Sequence, residues 1–126
     1  MEQERFLTLN KITAYKKSFA LSNDIWGLVG KWDEFSKRTI GSQFVRAIDS
    51  VSANIAEGFG RYEKKDKVQF YRIARGSAYE SLDWLEKSKR RKLLSEKEYG
   101  RIFLILKELP KDINTLIKYT NDHLAT

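Results

Sequence analysis

Lysine and arginine residues are concentrated in one part of this 126-residue chain, between Arg61 and Lys92. That stretch contains 11 basic and 5 acidic residues, whereas the other 94 residues contain 13 basic and 12 acidic ones. Most of the formal net charge of +7 is therefore local. A local excess of cations is typical of a surface that binds an anionic partner, because a solvated helix face more often mixes the two signs.

The basic residues form two clusters about 30 Å apart along one predicted helix. The first contains Arg61, Lys64, Lys65 and Lys67, and the second contains Lys87, Lys89, Arg90, Arg91 and Lys92. Cations at the C-terminus of a helix also complement its dipole, but the second cluster exceeds what that effect requires. We predict that both clusters contact the phosphates of RNA or structured DNA without reading its sequence.

Glu57 and Glu80 are the candidates for an acid–base site, and a hydrolase would need such a pair or a bound metal. The chain has no cysteine, and its one histidine, His123, lies three residues from the end. The Glu-x-x-His motif of di-metal helix bundles does not occur. The glycines of residues 58–60 follow a predicted helix rather than a strand, so they do not form a Rossmann phosphate loop. We therefore predict no enzymatic activity, no metal and no cofactor.

A second interpretation of these carboxylates is structural. Asn54, Glu57 and Arg61 share one flank of a helix because of their i, i+3, i+7 spacing. Antiparallel folding about residue 63 places Arg46 level with Glu80. We predict a polar seam that fixes the register of two helices, and its members are Gln43, Arg46, Ser50, Asn54, Glu57, Arg72, Ser77 and Glu80.

Helices must position these residues, because apolar side chains recur at helical spacing over residues 9–32, 39–59, 64–91 and 95–121. One proline and seven glycines leave few turns for a sheet protein. Ser95 and Glu98 have the spacing of a capping box at the start of the last helix. Short connections make neighbouring helices antiparallel. We predict an all-α fold, with residues 1–126 forming a single up-down-up-down antiparallel four-helix bundle.

Three glycines and the proline carry more specific predictions. We expect Gly58 and Gly60 to end the second helix in the left-handed conformation that glycine accepts. Gly76 costs about 1 kcal/mol relative to alanine inside a helix, so we predict close packing there. Pro110 should kink the fourth helix without dividing it, because the apolar stripe keeps its phase across the proline.

Two features bear on the location of the protein. No run of eighteen apolar residues occurs, so we expect no membrane span, and the N-terminal sequence MEQERFLTLN does not have the pattern of a secretory signal. The absence of cysteine fits a reducing compartment. We predict a cytoplasmic protein.

The segments GSQFVRAIDSVSANIAEGFGR (residues 41–61) and FYRIARGSAYE (residues 70–80) contain three linked motifs. These are Q-x-x-R-A-x-x-S, N-I-A-E-G and A-x-G-S-x-x-E, and together they resemble the bacterial family of 23S ribosomal RNA intervening-sequence proteins. The resemblance implies an up-and-down four-helix bundle that assembles as a ring, typically a homopentamer. It also implies a relation to the accessory proteins of diversity-generating retroelements, which bind nucleic acid beside a reverse transcriptase.

Two functions from different classes follow from these observations. The first is a non-enzymatic, oligomeric nucleic-acid-binding protein that uses the basic clusters at both ends of the third helix. The alternative is a protein-binding scaffold or an accessory subunit of a nucleic-acid enzyme such as a reverse transcriptase. The first helix carries two adjoining apolar stripes, which together make a face wider than one neighbouring helix needs. We expect part of this face, including one tryptophan, to contact another subunit.

Overall fold

The computed structural model describes residues 9–124, and that part of the chain contains helices and no β-strand. This confirms the all-α prediction. None of the helices in the described part is both long and apolar enough to cross a membrane. The five longest helices are α1 (Thr13–Val29), α2 (Ser42–Gly60), α3 (Lys64–Arg90), α4 (Glu96–Leu106) and α5 (Leu109–His123).

The core is built from the apolar stripes of all five helices. α2 packs against α1 and α3, while α5 packs against α3 and α1. A single cluster of buried side chains joins them, and its fully buried members include Ile25, Ile48, Val51, Ile55, Leu85, Ile102, Leu106, Leu109 and Ile113. Burial of this apolar surface is the main force that holds the helices together.

The helical conformation begins before α2, in residues 33–38, the gap between the first two predicted helices that we expected to be a linker. The Asp33 side chain accepts a hydrogen bond of 3.1 Å from the Ser36 backbone N–H and so caps the short helical turn Glu34–Ser36. A π-helical segment, Lys37–Gly41, then leads directly into α2. Residues 34–38 are therefore helical, and Asp33 caps them.

Gly41 allows this segment to lie against the end of α1. A Cβ atom at position 41 would lie 2.7 Å from Cγ1 of Val29 and 3.1 Å from the carbonyl oxygen of Ser36. Only glycine fits this approach without a shift of its neighbours. The close contact between α1 and the start of α2 depends on that missing side chain.

α2 ends by a mechanism other than the one predicted. Gly60 is its last residue, and Arg61 follows in an extended conformation. No glycine of the chain, all seven of which lie within residues 9–124, has a positive φ, so the predicted left-handed end is wrong. Gly58 is instead required for space, because a Cβ there would lie 2.8 Å from Cε1 of Tyr71. The ammonium group of Lys67 donates a 2.7 Å hydrogen bond to the Phe59 carbonyl and helps to satisfy the end of α2.

α3 ends with a lysine in the conformation usually taken by glycine. Lys92 has φ 61°, and its N–H donates to the carbonyl of Lys89 at 3.0 Å. The N–H of Leu93 donates to the carbonyl of Ser88 at 2.9 Å. These two bonds are those of a Schellman motif, in which the left-handed position favours glycine.

The last predicted helix is two helices. The capping box at Ser95 and Glu98 is confirmed, since each side chain bonds to the backbone N–H of the other residue, at 3.0 and 2.9 Å. α4 then ends at Leu106 and α5 begins at Leu109, with Pro110 in its first turn. Proline has no N–H to donate to the carbonyl of residue 106, so the helix breaks where a kink was predicted. The predicted phase of the apolar stripe is kept, because Leu106 and Leu109 are both fully buried.

Candidate nucleic-acid interface

Three consecutive cations at the end of α3 have no partner in the described part of the chain. Arg90, Arg91 and Lys92 are exposed, and neither a hydrogen bond nor an ion pair within residues 9–124 engages their side chains. The Schellman motif holds the backbone of Arg91 and Lys92 in place although their side chains are unpaired. We call these three residues the α3-end cations.

The other two basic residues of the predicted second cluster contact neighbouring side chains. Lys87 forms an ion pair of 2.6 Å with Asp83, and its ammonium group lies 4.6 Å from the centre of the Trp84 ring. Lys89 lies 4.1 Å from the centre of the Tyr99 ring on α4. The predicted cluster of five is thus divided into two cations with partners and the three α3-end cations.

The acidic residue that precedes the α3-end cations most closely in sequence is engaged elsewhere. Glu86 accepts a hydrogen bond from the hydroxyl of Tyr99. This bond, with a smaller effect of burial, raises the pKa of Tyr99 to about 12. The side chain of Glu86 is therefore directed to α4, and it does not pair with the cations that follow it in sequence.

The first predicted cluster lies at the opposite end of α3 and is largely used within the chain. Arg61 pairs with Glu57 at 2.9 Å and stacks on the ring of Phe70. Lys64 donates to the carbonyl of Asn121 on α5 at 3.2 Å. Lys67 bonds to the end of α2 as described above, and Lys65 is exposed. The structure does not bring the two clusters together.

The centre of the predicted polar seam joins α2 to α3. The Ser77 hydroxyl donates to the Ser50 hydroxyl oxygen at 2.9 Å. The Asn54 amide donates to that same oxygen and to the Ser50 carbonyl, both at 2.8 Å. These three residues lie half-buried between the helices, where an unmade hydrogen bond would be costly.

The ends of the predicted seam do not cross between helices. Arg46 donates to Gln43 at 3.1 Å, and the Trp84 indole N–H donates to Glu80 at 3.2 Å. Glu57 pairs with Arg61, four residues further along the chain, and Arg72 is exposed. The predicted alignment of Arg46 with Glu80 produces no contact within residues 9–124, because both side chains are exposed and bond within their own helices.

Gly60 and Gly76 occupy open positions on the surface. A Cβ atom at either residue would meet no heavy atom within 4 Å. The close packing predicted at Gly76 is therefore not made within residues 9–124, and the glycines that require it there are Gly41 and Gly58. No sequence pattern distinguishes Gly41 from the other glycines, because its neighbour in space, Val29, belongs to a different helix.

No group of three or more histidine, cysteine, aspartate or glutamate side chains that could hold a metal ion occurs within residues 9–124. His123 is the last residue of α5, where its ring stacks on Tyr119 with the ring centres 4.2 Å apart. Glu57 and Glu80 each bond to a side chain of their own helix. Both carboxylates are thus engaged within their own helices, and within residues 9–124 neither makes the cross-helix bond of the predicted seam.

Comparison with known proteins identifies a family whose model matches most of the chain. Residues 10–115 match the family described as 23S rRNA-intervening sequence protein. A similar solved structure is the 1.70 Å crystal structure of a protein of unknown function from the S23 ribosomal protein family of Bacteroides thetaiotaomicron VPI-5482. The two chains are 25% identical, with a TM-score of 0.76, and the alignment covers 83% of this chain and 98% of the other. Among curated proteins, none matches the sequence.

Proposed function

We propose that this chain, which belongs to the 23S rRNA-intervening sequence protein family, is a non-enzymatic oligomer that binds nucleic acid through the end of α3. The observation that carries the proposal is the group of α3-end cations, which are exposed and have no acidic partner within residues 9–124. Cations of this kind bind phosphates and release the counterions condensed on the nucleic acid. We expect the protein to act in the bacterial cytoplasm.

The backbone conformation of Lys92 supports this proposal. A left-handed conformation costs a residue other than glycine about 1–2 kcal/mol. Strained residues are common at functional sites, where the side chain is needed for a reason other than stability. A lysine at φ 61° that lies next to two unpaired arginines fits a surface where positive charge matters more than a relaxed helix end.

We infer that the helices form an up-down-up-down antiparallel four-helix bundle, in which α4 and α5 together act as the fourth helix. Contacts between neighbouring helices support this arrangement, because along each pair the residue number rises on one helix while it falls on the other. Between α1 and the fourth helix, Lys17 contacts Asp112 and Asp24 contacts Arg101. Between α3 and α5, Lys64 contacts Asn121 and Arg75 contacts Asn114.

We further propose that the bundle assembles as a homopentameric ring, as the family resemblance implies. Exposed aromatic residues on α1 support an interface between subunits, since Trp26 is 68% exposed and Phe19 is 52% exposed. Trp26 also lines an apolar groove with Val29 and Val45, at the junction of α1 and α2. Large exposed apolar patches commonly mark interaction surfaces. Mass measured under native conditions tests the ring, and a monomer would refute it.

Fluorescence anisotropy with mixed-sequence RNA and DNA at several salt concentrations tests the nucleic-acid proposal. The test variant replaces each α3-end cation by glutamine. A matched control makes the same change at three exposed lysines away from that end, Lys11, Lys16 and Lys111. Neutralising three phosphate contacts should reduce the slope of log K against log salt by about 2–3. Absence of binding at low salt, or an equal effect of both variants, would refute the proposal.

A second candidate function is that of a protein-binding scaffold or an accessory subunit of a nucleic-acid enzyme. The exposed Trp26 favours it, because tryptophan is enriched at the energetic centres of protein interfaces. Under this alternative, an acidic protein occupies the surface around the α3-end cations. Its complex would survive nuclease treatment and would be lost when those cations are neutralised, and the protein would not bind RNA or DNA at low salt.

A further inference from the structure

A surface groove lies beside the α3-end cations, between the end of α3 and the π-helical segment that precedes α2. Its volume is about 610 Å³, which falls within the range of about 300–1,000 Å³ of small-molecule sites. Aromatic and apolar side chains provide most of its exposed lining, and polar groups from the start of α2, from the segment before it and from the residue after α3 lie among them. The residues that matter here are Phe35, Thr39, Ile40, Gln43, Trp84 and Arg91.

Phe35 is an unusual residue for the surface that it occupies. Its side chain is 68% exposed, although it lies within a helical turn and not in a loop. The sequence placed it in a linker, where no neighbour could be assigned to it. An exposed aromatic ring beside a groove provides a flat surface on which another ring can stack.

The wall formed by Thr39 and Ile40 belongs to the π-helical segment Lys37–Gly41. Side-chain hydroxyl groups form hydrogen bonds with backbone carbonyls around this segment. Thr39 donates to the carbonyl of Phe35 at 2.7 Å, and Ser42 donates to the carbonyl of Arg38 at 3.0 Å. Short π-helical segments occur frequently at functional sites. The irregular backbone and the exposed ring thus meet in the same groove.

Two polar groups of the groove keep hydrogen-bond donors available. The guanidinium group of Arg91 has no partner within residues 9–124, and its five N–H donors suit a phosphate. Gln43 accepts from Arg46 through its carbonyl oxygen, and no hydrogen bond within the described residues engages its amide N–H groups. Donors and an aromatic surface therefore face the same space, next to Arg90 and Lys92.

We propose that this groove binds an unpaired base of a nucleic acid, with the base stacked on Phe35 and the adjoining phosphates contacted by Arg91 and Lys92. The inference rests on the proposed function and adds the class of ligand, a single-stranded segment. A base in a duplex is covered by its neighbours on both faces, whereas an unpaired base can turn out and stack on an aromatic side chain. Because every base has such a face, we expect little sequence preference.

Binding of a single-stranded RNA of roughly 10 nucleotides and of a duplex of the same sequence tests the inference. The test variant is Phe35→Ala, and the matched control is Tyr62→Ala, which removes a ring that is 83% exposed at the other end of α3. Both side chains are on the surface, so both variants should fold. Phe35→Ala should weaken single-strand binding by roughly tenfold or more, because stacking on an aromatic side chain contributes that much per base.

Three further results separate this inference from the proposed function. Phe35→Ala should leave duplex binding and the salt dependence unchanged, because it removes no charge, and Tyr62→Ala should leave all binding unchanged. Equal losses on single strand and duplex, or no loss on either, would overturn the inference while the proposed function stands. Absence of all nucleic-acid binding in the parent protein would overturn both. Binding of an acidic peptide that depends on Phe35, with no preference for single strands, would assign the groove to a protein partner instead.

Discussion

Lys92→Gly should stabilise the fold, although it removes a positive charge from the proposed binding surface. Lys92 has φ 61° and occupies the left-handed position of the Schellman motif that ends α3. A Cβ atom crowds the following carbonyl in that conformation, and glycine has no such atom. The two hydrogen bonds of the motif are made by backbone groups, so glycine keeps them.

The size of the gain follows from two opposing effects. Relief of the left-handed conformation should contribute about 1–2 kcal/mol. The greater freedom of glycine in the unfolded chain should cost about 0.5–1 kcal/mol. The difference between these two ranges is an increase of about 0–1.5 kcal/mol in the free energy of unfolding. Its midpoint of about 0.75 kcal/mol corresponds to a rise in Tm of about 3 °C for a chain of this size.

Thermal unfolding followed by circular dichroism would measure the change, at one protein concentration because the protein is proposed to associate. Lys92→Ala is the control, since it removes the charge and keeps the Cβ atom. It should show no comparable gain. If alanine stabilises the protein as much as glycine does, the gain comes from reduced repulsion among the α3-end cations. Relief of backbone strain at Lys92 would then be refuted as the cause. Both variants should weaken nucleic-acid binding equally.

Three other predictions concern packing, capping and pH. Gly41→Ala and Gly58→Ala should each lower the free energy of unfolding by about 1–3 kcal/mol, because the new Cβ would lie 2.7 Å from Val29 and 2.8 Å from Tyr71 respectively. Gly76→Ala, in open space, should raise it by up to about 1 kcal/mol in the same urea titration, and a loss there would indicate close packing between subunits. Ser95→Ala should cost about 1 kcal/mol, because it removes the cap of α4, and urea unfolding would also measure this. Burial raises the pKa of Tyr71 to about 12, and the hydrogen bond to Glu86 raises the pKa of Tyr99 to about 12. Folding therefore favours the protonated form of both hydroxyls. The stability that this provides is complete below pH 10.0 and is lost as the pH rises through about 12. Tyr99→Phe should reduce that loss, whereas an unchanged pH dependence would show that the Glu86 bond does not protect the hydroxyl.

Periodicity was sufficient to predict that the chain is helical, because burial repeats at the helical period. The residues Ile102, Leu106, Leu109 and Ile113 illustrate this, since all four are fully buried although the helix is interrupted between the second and the third. Their spacing reports which side faces the core, and that side is kept across the break. The break itself depends on whether the carbonyl of residue 106 can accept a hydrogen bond within the helix, and Pro110 has no N–H to donate to it. The periodicity of apolar residues contains no information about that bond. The family predicted from the linked motifs is confirmed by the match over residues 10–115.

Predictions for glycine were less successful, because a glycine can be required either for an unusual backbone conformation or for close packing against a neighbour. Gly60 and Gly76 stand in open positions, whereas Gly58 and Gly41 are in tight contact with another helix. The sequence shows the same residue type at all four positions. Distinguishing them requires the position of Tyr71 or Val29, and that position is set by the packing of the whole bundle.

The candidate site was predictable as a concentration of charge but not as a set of available side chains. Nine basic residues fell into two clusters of similar appearance in the sequence. The structure distinguishes the clusters by their partners, since Arg61 bonds to Glu57 and Lys64 bonds to the backbone of α5. The side chains of the α3-end cations bond to nothing within residues 9–124. Which cation meets which acceptor depends on the neighbouring helix, so one sequence alone cannot assign it. The exposed ring of Phe35 was missed for the same reason, because its relation to α3 is tertiary.

The different use of the two ends of α3 has a consequence for the proposed ring. If the subunits are arranged about an axis parallel to their helices, one face of the ring repeats the end where Lys64 and Arg61 are engaged within each chain. The other face repeats the α3-end cations and the groove at Phe35. Cations that already bind carbonyls or carboxylates lose those contacts when they bind phosphate, whereas unpaired ones lose only water and counterions. A nucleic acid should therefore bind one face of the ring, where several unpaired positive groups and several aromatic surfaces lie on the same circle.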